Sequence, residues 1–248
     1  MLVDMVRYKA IVEYDGGAYQ GYQRQEDHIV TVQGVIEAVI AEIARQHVTV
    51  YASGRTDAGV HAVGQVVAFD MAWKYGVNAL HRAINRKLPM DISFLTLDEV
   101  DDEFHPRFSA KRRGYRYTVY NGRERRPLLR HHAWHVKDLL DTAVMNEAAR
   151  HLIGHHDFGT FGTPPIGTNS VRDVFHAQWE RDGDFLHFDI VATAFLRRMV
   201  RGIVGSLVQV GKGAWSVEQF RAAMAACERS RTGASAPPQG LVLQFVEY

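Results

Sequence analysis

One short segment concentrates residue types that can do chemistry. Residues 52 to 62 read Ala-Ser-Gly-Arg-Thr-Asp-Ala-Gly-Val-His-Ala and lie between two predicted strands. Small residues there let backbone or a ligand approach closely, and they surround one acid, Asp57, one base, Arg55, and one imidazole, His61. A lone Asp in such a loop often forms only an Asx turn. The segment is longer than the ~2 to 5 residues a simple turn needs, so we interpret Asp57 as a candidate catalytic acid.

A second candidate is Arg201, on the most clearly amphipathic predicted helix. The apolar face of that helix comprises Leu196, Met199, Val200, Ile203, Val204, Leu207 and Val208. Arg201 lies roughly 120° from the centre of this face, on the flank of the helix. From that position it either pairs with a carboxylate over a sheet or extends along the surface to water.

Two groups of histidines raise the hypothesis of a metal-dependent enzyme. They are His131, His132 and His135, and His151, His155 and His156 with Asp157. Neither group has a recognised ligand spacing, and there is no HExxH pattern, so we expect no metal. The one cysteine, Cys227, excludes an intramolecular disulfide and a Cys-based site. Phosphate-loop, dinucleotide and nucleophile-elbow motifs are also missing, so we expect no cofactor.

The net charge of +1 hides an uneven distribution. Residues 104–130 carry nine basic side chains and one acidic one, whereas residues 1–103 carry nine and fifteen. The aromatic residues Phe108, Tyr115, Tyr117 and Tyr120 are interleaved with these bases. Basic residues mixed with aromatics favour phosphate contact and base stacking, although a solvated charged hairpin has the same composition.

Composition indicates an ordinary globular protein. The 248 residues are 46% hydrophobic and 23% charged, which argues against a disordered or membrane chain. The length fits one large domain or two smaller ones. Asp4 stands where a signal peptide needs bases, and no apolar run approaches the ~18 residues of a membrane span. We therefore expect a cytoplasmic protein.

Periodicity predicts the same order of elements twice. The first set comprises strands over 7–14, 47–52, 64–70 and 92–97 and helices over 31–45 and 77–87. The second comprises strands over 111–121, 170–180, 184–191 and 241–246 and helices over 138–153 and 196–208, with an extra helix over 217–227. We therefore predict an α/β (α+β) protein of two tandem ferredoxin-like βαββαβ domains, 1–104 and 105–248, each with an antiparallel sheet.

The segment at 54–62, Gly-Arg-Thr-Asp-Ala-Gly-Val-His-Ala, resembles the signature of the TruA-type tRNA pseudouridine synthases. Further segments resemble the family in its order, over essentially the whole chain: 14–16, 21–25, 31–33, 64–67, 104–110, 115–117, 199–201 and 240–243. Two departures are Tyr22, where members often have Trp, and the stretch 162–169, which is shorter and richer in Gly and Pro.

The resemblance implies conversion of uridine to pseudouridine at positions 38, 39 and 40 of the tRNA anticodon stem-loop. It implies that Asp57 is the catalytic carboxylate, as nucleophile or base, and that Arg55 fills the space left by a flipped-out nucleotide. Tyr115 is then expected to stack on the target base or relay a proton, Arg201 to keep Asp57 ionised, and Leu241 to form an apolar wall. The active site is expected in a cleft between the domains.

The resemblance also implies a homodimer with tRNA bridging both subunits, and neither a metal nor a cofactor. Arg107, Lys111 and Arg112 of the basic stretch, with Arg24, are the expected phosphate contacts. The main alternative is a non-catalytic RNA-binding protein of two ferredoxin-like domains. The RNA-recognition-motif version of that alternative requires an RNP1 strand, which the sequence lacks.

Overall fold

The computed structural model describes residues 4–26, 28–164 and 167–248 and divides into two compact units. The first comprises Met1–Lys111 and Leu243–Tyr248, and the second comprises Arg112–Val242. The domain division after residue 104 stays a prediction, and segment 105–111 lies in the first compact unit. Segment 105–111 packs with the first unit because Tyr248 Oη donates to Pro106 O and Lys111 N donates to Glu247 O, at 2.8 Å each.

The first unit contains the predicted βαββαβ order. Its elements are β1 (Met5–Tyr14), α1 (Val32–Ala44), β2 (Tyr51–Ala52), β3 (His61–Ala72), α2 (Val77–Lys87) and β4 (Ile92–Val100). Strand β1 lies between β3 and β4 and is antiparallel to both. The predicted inward face of β1 is buried: Tyr8, Ala10, Val12 and Tyr14 are all at most 2% exposed.

Both helices of the first unit begin and end close to the predicted residues. Thr31 caps α1, since its hydroxyl oxygen accepts the N–H of Gly34. Ile36 and Ile40 of α1 and Leu80 and Ile84 of α2 are fully buried. Helix α2 has the predicted bounds, because its apolar positions recur at helical spacing on one face.

Strand β2 is shorter than predicted. Side chains of α1 satisfy the backbone of Val50: Glu37 Oε1 accepts its N–H at 3.1 Å, and Gln33 Nε2 donates to its carbonyl at 3.0 Å. These groups are therefore not available to a strand ladder, and pairing with β3 is confined to Tyr51 and Ala52.

The second unit also differs in part from the prediction. Its elements are β5 (Arg112–Tyr120), β6 (Trp134–His135), α3 (Thr142–Arg150), β7 (Gly154–Asp157), β8 (Val171–Asp182), β9 (Phe185–Ala192), α4 (Met199–Gly211) and α5 (Val217–Ala226). The strand order is β5–β9–β8–β7, and β6 pairs with β5 in parallel. Strands β6 and β7 were not predicted, because two to four residues carry too little alternation to register as a strand.

Helix α4 forms the core of the second unit. Its predicted apolar face is buried, with Ile203, Val204, Leu207 and Val208 each 0% exposed. Helix α3 is shorter than the predicted span of 138–153. It begins only after Asp141, whose carboxylate accepts the N–H groups of Ala143 and Val144 and so caps the helix.

The last strand, β10 (Leu241–Glu247), was predicted to close the second domain. Its residues from Leu243 onward belong to the first unit, where β10 is the neighbour of β3. The final strand of the second predicted repeat is thus largely part of the first unit's sheet. Within the described ranges, no helix has the length and apolar character needed to cross a membrane.

Candidate active site

The loop that carries Asp57 joins β2 to β3 and spans residues 53–60. Its start is held by Gln65, a fully buried residue of β3. Ser53 Oγ donates to Gln65 Oε1 at 2.7 Å, and Gln65 Nε2 donates to Gly54 O at 3.1 Å. Ser53 N also donates to Val66 O at 2.8 Å. One buried amide therefore fixes the backbone just before Arg55.

The middle of the loop is held by Thr56, which is itself buried. Its hydroxyl lies 2.8 Å from the hydroxyl of Tyr14 on β1, and its carbonyl accepts the N–H of Tyr22 at 3.1 Å. Burial raises the pKa of Tyr14 to about 12, so the phenol is neutral near pH 7 and remains a hydrogen-bonding hydroxyl. The residue next to Asp57 is thus attached to the centre of the sheet.

The turn after Asp57 depends on glycine. The carbonyl of Asp57 accepts the N–H of Val60 at 3.1 Å, and Gly59 within this turn has φ +76°, which glycine adopts without a steric penalty. A Cβ at Gly16 would lie 2.0 Å from Val60 O, so the neighbouring loop approaches the turn closely only because residue 16 is glycine. This steric role does not extend to every small residue of the loop, since a Cβ at Gly54 would meet no atom within 4 Å.

Three successive residues at the centre of the loop differ in exposure. Thr56 is buried, Asp57 is half-buried, and Arg55 is exposed. Within the part of the chain that the structure describes, Arg55 makes no hydrogen bond or ion pair. The arrangement is a half-buried carboxylate on a fixed backbone, two residues from an exposed guanidinium.

His61, at the start of β3, has a structural position. Its Nδ1 lies 2.9 Å from Asp15 Oδ1 and 3.1 Å from the backbone nitrogen of Gly16. The ring is buried and joins the Asp15 turn to the end of the Asp57 loop.

The second unit holds three of the other predicted site residues. Tyr115 on β5 is half-buried, and its ring meets the Phe195 ring edge-on with centroids 5.0 Å apart. Arg201 lies on α4, half-buried as its flank position predicted, and its Nε donates to Ala236 O at 2.7 Å. Leu241 is buried at the start of β10.

The expected phosphate contacts occupy separate places. In the first unit, Arg24 Nη1 lies 3.3 Å from Glu37 Oε2, and the Arg107 guanidinium lies 5.7 Å from the centroid of Phe108. Lys111 is exposed. In the second unit, the Arg112 guanidinium lies 4.5 Å from the centroid of Phe175.

The side chains of the basic stretch differ in their surroundings. Arg116 forms two hydrogen bonds of 2.8 and 2.7 Å with the Asp189 carboxylate, and this pairing raises the pKa of Arg116. Tyr117 and Tyr120 are 0% and 4% exposed, so their rings belong to the core. Of the four aromatic residues interleaved with the bases of this stretch, Phe108 is the most exposed, at 77%.

The histidine groups are engaged with protein atoms at several nitrogens. His155 Nδ1 lies 2.7 Å from Asp173 Oδ1, His156 Nε2 lies 2.9 Å from Ile153 O, and His135 Nε2 lies 2.9 Å from Gly122 O. Of the stretch 162–169, Pro165 and Ile166 lie outside the described residues.

Tyr14, Thr56 and Gln65 lie in segments that resemble the family, but sequence reasoning assigned none of them the role of holding the Asp57 loop. Gln65 left a signal, since it is a polar residue at an inward position of an otherwise apolar strand and pairs with buried Val12. A buried amide needs hydrogen-bond partners, and the nearest loop supplies them. Tyr14 was placed correctly on the inward face of its strand and in the family-like segment 14–16, without a hydrogen-bonding role.

Comparison with known proteins identifies the family. The family model described as tRNA pseudouridine synthase matches residues 10–109 and 148–248. The chain is 43% identical to tRNA pseudouridine synthase A of Geobacter sulfurreducens over 97% of this chain and 98% of the relative. The tRNA pseudouridine synthases A of Afipia carboxidovorans and Pseudothermotoga lettingae are 42% and 40% identical, over 98% of this chain and 100% of each relative. The chain therefore belongs to the TruA family of tRNA pseudouridine synthases, isomerases that convert uridine to pseudouridine in tRNA.

Proposed function

We propose that the chain isomerises uridines 38, 39 and 40 of the tRNA anticodon stem-loop, with Asp57 as the catalytic carboxylate. The observation that carries the proposal is the Asp57 loop, in which a half-buried carboxylate lies on a backbone fixed by Tyr14, Thr56 and Gln65. Catalysis by a single carboxylate requires that it be held within a fraction of an ångström of its working geometry.

The proposed reaction breaks the bond from N1 of uracil to C1′ of ribose and forms a bond from C5 to C1′. The C5 proton is lost and N1 gains a proton, so no atom is gained or lost and no redox partner is needed. Asp57 acts as a nucleophile, on the base or the sugar, or as a base that removes a proton.

Arg55 is proposed to occupy the space that the target uridine leaves when it is flipped out of the stack. The supporting observations are its exposure and its place two residues from Asp57. A flipped nucleotide costs a few kcal/mol of unstacking, and a guanidinium that stacks in its place and contacts phosphate offsets part of that cost.

Residues of the second unit are proposed to complete the chemistry. Tyr115 stacks on the target base or relays a proton, Arg201 favours the ionised form of the catalytic carboxylate, and Leu241 forms an apolar wall for uracil. The hydrogen bond from Arg201 Nε to Ala236 O supports this role, because it holds the guanidinium in one orientation. Each unit is proposed to be a variant of the ferredoxin-like domain. The first has its elements in βαββαβ order, and the second adds β6, β7 and α5 to β5, α3, β8, β9 and α4.

The proposal extends to partners. Arg24, Arg107, Lys111 and Arg112 contact phosphates, and a homodimer binds tRNA across both subunits in the cytoplasm. The Arg24 side chain is 49% exposed, and its ion pair with buried Glu37 uses Nη1, which supports a phosphate contact by the rest of the guanidinium. Phosphate contacts of this kind give a steep loss of affinity with added salt.

The deciding experiment incubates the chain with unmodified tRNA and no added cofactor and then maps pseudouridine at single-nucleotide resolution. We expect product at positions 38, 39 and 40. The variant Asp57→Asn keeps the shape of the side chain but loses its charge, so it should form no product and bind tRNA within a few-fold of wild type. Modification by Asp57→Asn, or product at other positions, would contradict the proposal.

A matched control is Asp15→Asn, which removes a carboxylate on the adjacent turn of the first unit. Asp15 contacts His61 and Gly17 in this turn. We expect this variant to lower stability and to retain product formation. Metal dependence is tested separately, since full activity after exhaustive chelation is the expected result.

A further inference from the structure

An aromatic side chain near the end of the first unit is unusually open to solvent. Phe108 lies in the segment 104–111 and is 77% exposed, whereas nearby Phe104 is half-buried. An exposed phenyl ring of this kind gains nothing from the hydrophobic effect in the free protein. Its exposure therefore requires a local structure that keeps it out of the core.

That local structure is built by His105. The Nδ1 atom of its ring accepts the N–H groups of Arg107 and Phe108, at 3.1 and 3.3 Å. Ser109 closes the turn, since its N–H donates to His105 O at 3.0 Å and its hydroxyl accepts the His105 N–H at 3.2 Å. Tyr248 Oη anchors the same turn through Pro106 O. The backbone that presents Phe108 is thus pre-ordered.

The rings of Tyr51, His105 and Phe108 follow one another in a short row. Tyr51 and His105 have centroids 5.6 Å apart, and His105 and Phe108 have centroids 4.4 Å apart with planes at 36°. Phe108 is the outermost ring, and the Arg107 guanidinium lies 5.7 Å from its centroid. The row therefore ends in the solvent-exposed Phe108 ring, with the Arg107 guanidinium beside it.

We propose that Phe108 is a stacking platform for one unpaired nucleobase of the tRNA, with Arg107 contacting the backbone of the same nucleotide. This inference rests on the proposed tRNA-binding role of the segment. Aromatic rings bind single-stranded bases of any sequence through their π faces, and adjacent cations add affinity through phosphate and cation–π contact. The platform thus binds a nucleotide other than the one that Asp57 acts on.

The chemistry of the patch favours RNA over a second protein chain. Phe108 lies in the basic stretch 104–130, whose nine basic side chains against one acidic one match a polyanion. Tyr117 and Tyr120 of the basic stretch are buried, so they cannot stack on a base. A second copy of the chain as occupant is an outcome that the test below detects.

The test measures the Kd for unmodified tRNA with a series of variants at position 108. We expect Phe108→Ala and Phe108→Leu to weaken binding by about tenfold, the lower part of the range for loss of one base stack, and Phe108→Trp to bind at least as well as wild type. Met90→Ala is the control, since Met90 is a fully exposed apolar side chain of the same unit. It should leave the Kd unchanged.

A spectroscopic readout separates stacking from general loss of apolar surface. The indole of Phe108→Trp should lose fluorescence on binding tRNA, whereas the indole of Met90→Trp should not. Wild-type affinity in Phe108→Ala would overturn the platform, as would equal affinity of the Leu and Trp variants. A shift to monomer in Phe108→Ala, seen by sedimentation at the same concentration, would show that the ring contacts a second copy and would also overturn it.

The outcomes distinguish this inference from the proposed function. If wild type forms no pseudouridine at positions 38 to 40 but Phe108→Ala still binds tRNA more weakly, the platform stands and the assigned positions fail. If wild type modifies those positions and Phe108→Ala has unchanged affinity, only the platform fails.

Discussion

The hydroxyl groups of Tyr14 and Thr56 lie 2.8 Å apart in a buried hydrogen bond that joins the central strand of the first unit to the residue preceding Asp57. The loop itself is only eight residues long and has no regular structure. This bond, with the Gln65 amide, accounts for how a loop can hold a carboxylate in one place.

Tyr14→Phe removes this bond and keeps the ring. We expect the free energy of unfolding to fall by about 1 kcal/mol, the usual net contribution of one hydrogen bond. The turnover rate should fall more than the KM changes, because the Asp57 loop loses an anchor while the surfaces that bind tRNA are unchanged.

The control for Tyr14→Phe is Tyr8→Phe on the same face of β1. Tyr8 is equally buried, and its hydroxyl makes no hydrogen bond to any residue in the described ranges. Denaturant unfolding and steady-state kinetics on both variants make the comparison. An equal loss of turnover in the two variants would mean that the Tyr14 bond has no special role.

Much of the scaffold was predictable from periodicity, because local pattern determines helices and inward strand faces. Helix α2 and the buried face of β1 are examples. The strand boundaries around the Asp57 loop were not predictable. The side chains of Glu37 and Gln33, more than ten residues away in sequence, hydrogen-bond the backbone of Val50 and so end the strand there. The basic stretch likewise concealed the Arg116–Asp189 pair, whose partners are 73 residues apart.

A second prediction concerns Gln65. In Gln65→Leu the side chain keeps a similar volume, but Ser53 Oγ loses its acceptor and Gly54 O loses its donor. We expect the free energy of unfolding to fall by about 1 to 3 kcal/mol, because buried polar groups each lose a hydrogen bond. Turnover should fall as the loop loosens, and faster amide hydrogen exchange in residues 53–60 should accompany the loss. Unchanged exchange there would contradict the anchoring role.

A third prediction concerns alkaline pH. Burial raises the pKa of Tyr14 to about 12 in the folded protein, above its ordinary value of 10. A raised folded-state pKa gives stability that is fully present below the unfolded pKa and is lost as pH rises through the folded one. Stability should therefore fall between about pH 10 and pH 12, and the fall should be shallower in Tyr14→Phe. Denaturant midpoints measured across this range test it, and parallel curves for the two proteins would argue against it.

The last prediction separates catalysis from binding at Arg55. Its proposed role begins only after tRNA has bound, when the target uridine leaves the stack, so Arg55→Ala should lower single-turnover rates far more than it weakens tRNA affinity. Arg55→Lys keeps the charge but loses the planar guanidinium, and we expect it to recover affinity and little of the rate. The matched control is Arg82→Ala on α2, an exposed arginine of the same unit outside the loop, which should change neither quantity. If Arg55→Ala lost rate and affinity in equal proportion, Arg55 would act only in the initial binding of tRNA.

A tRNA whose target uridine is already unpaired provides a further measurement. It requires less unstacking, so it should partly restore the rate of Arg55→Ala.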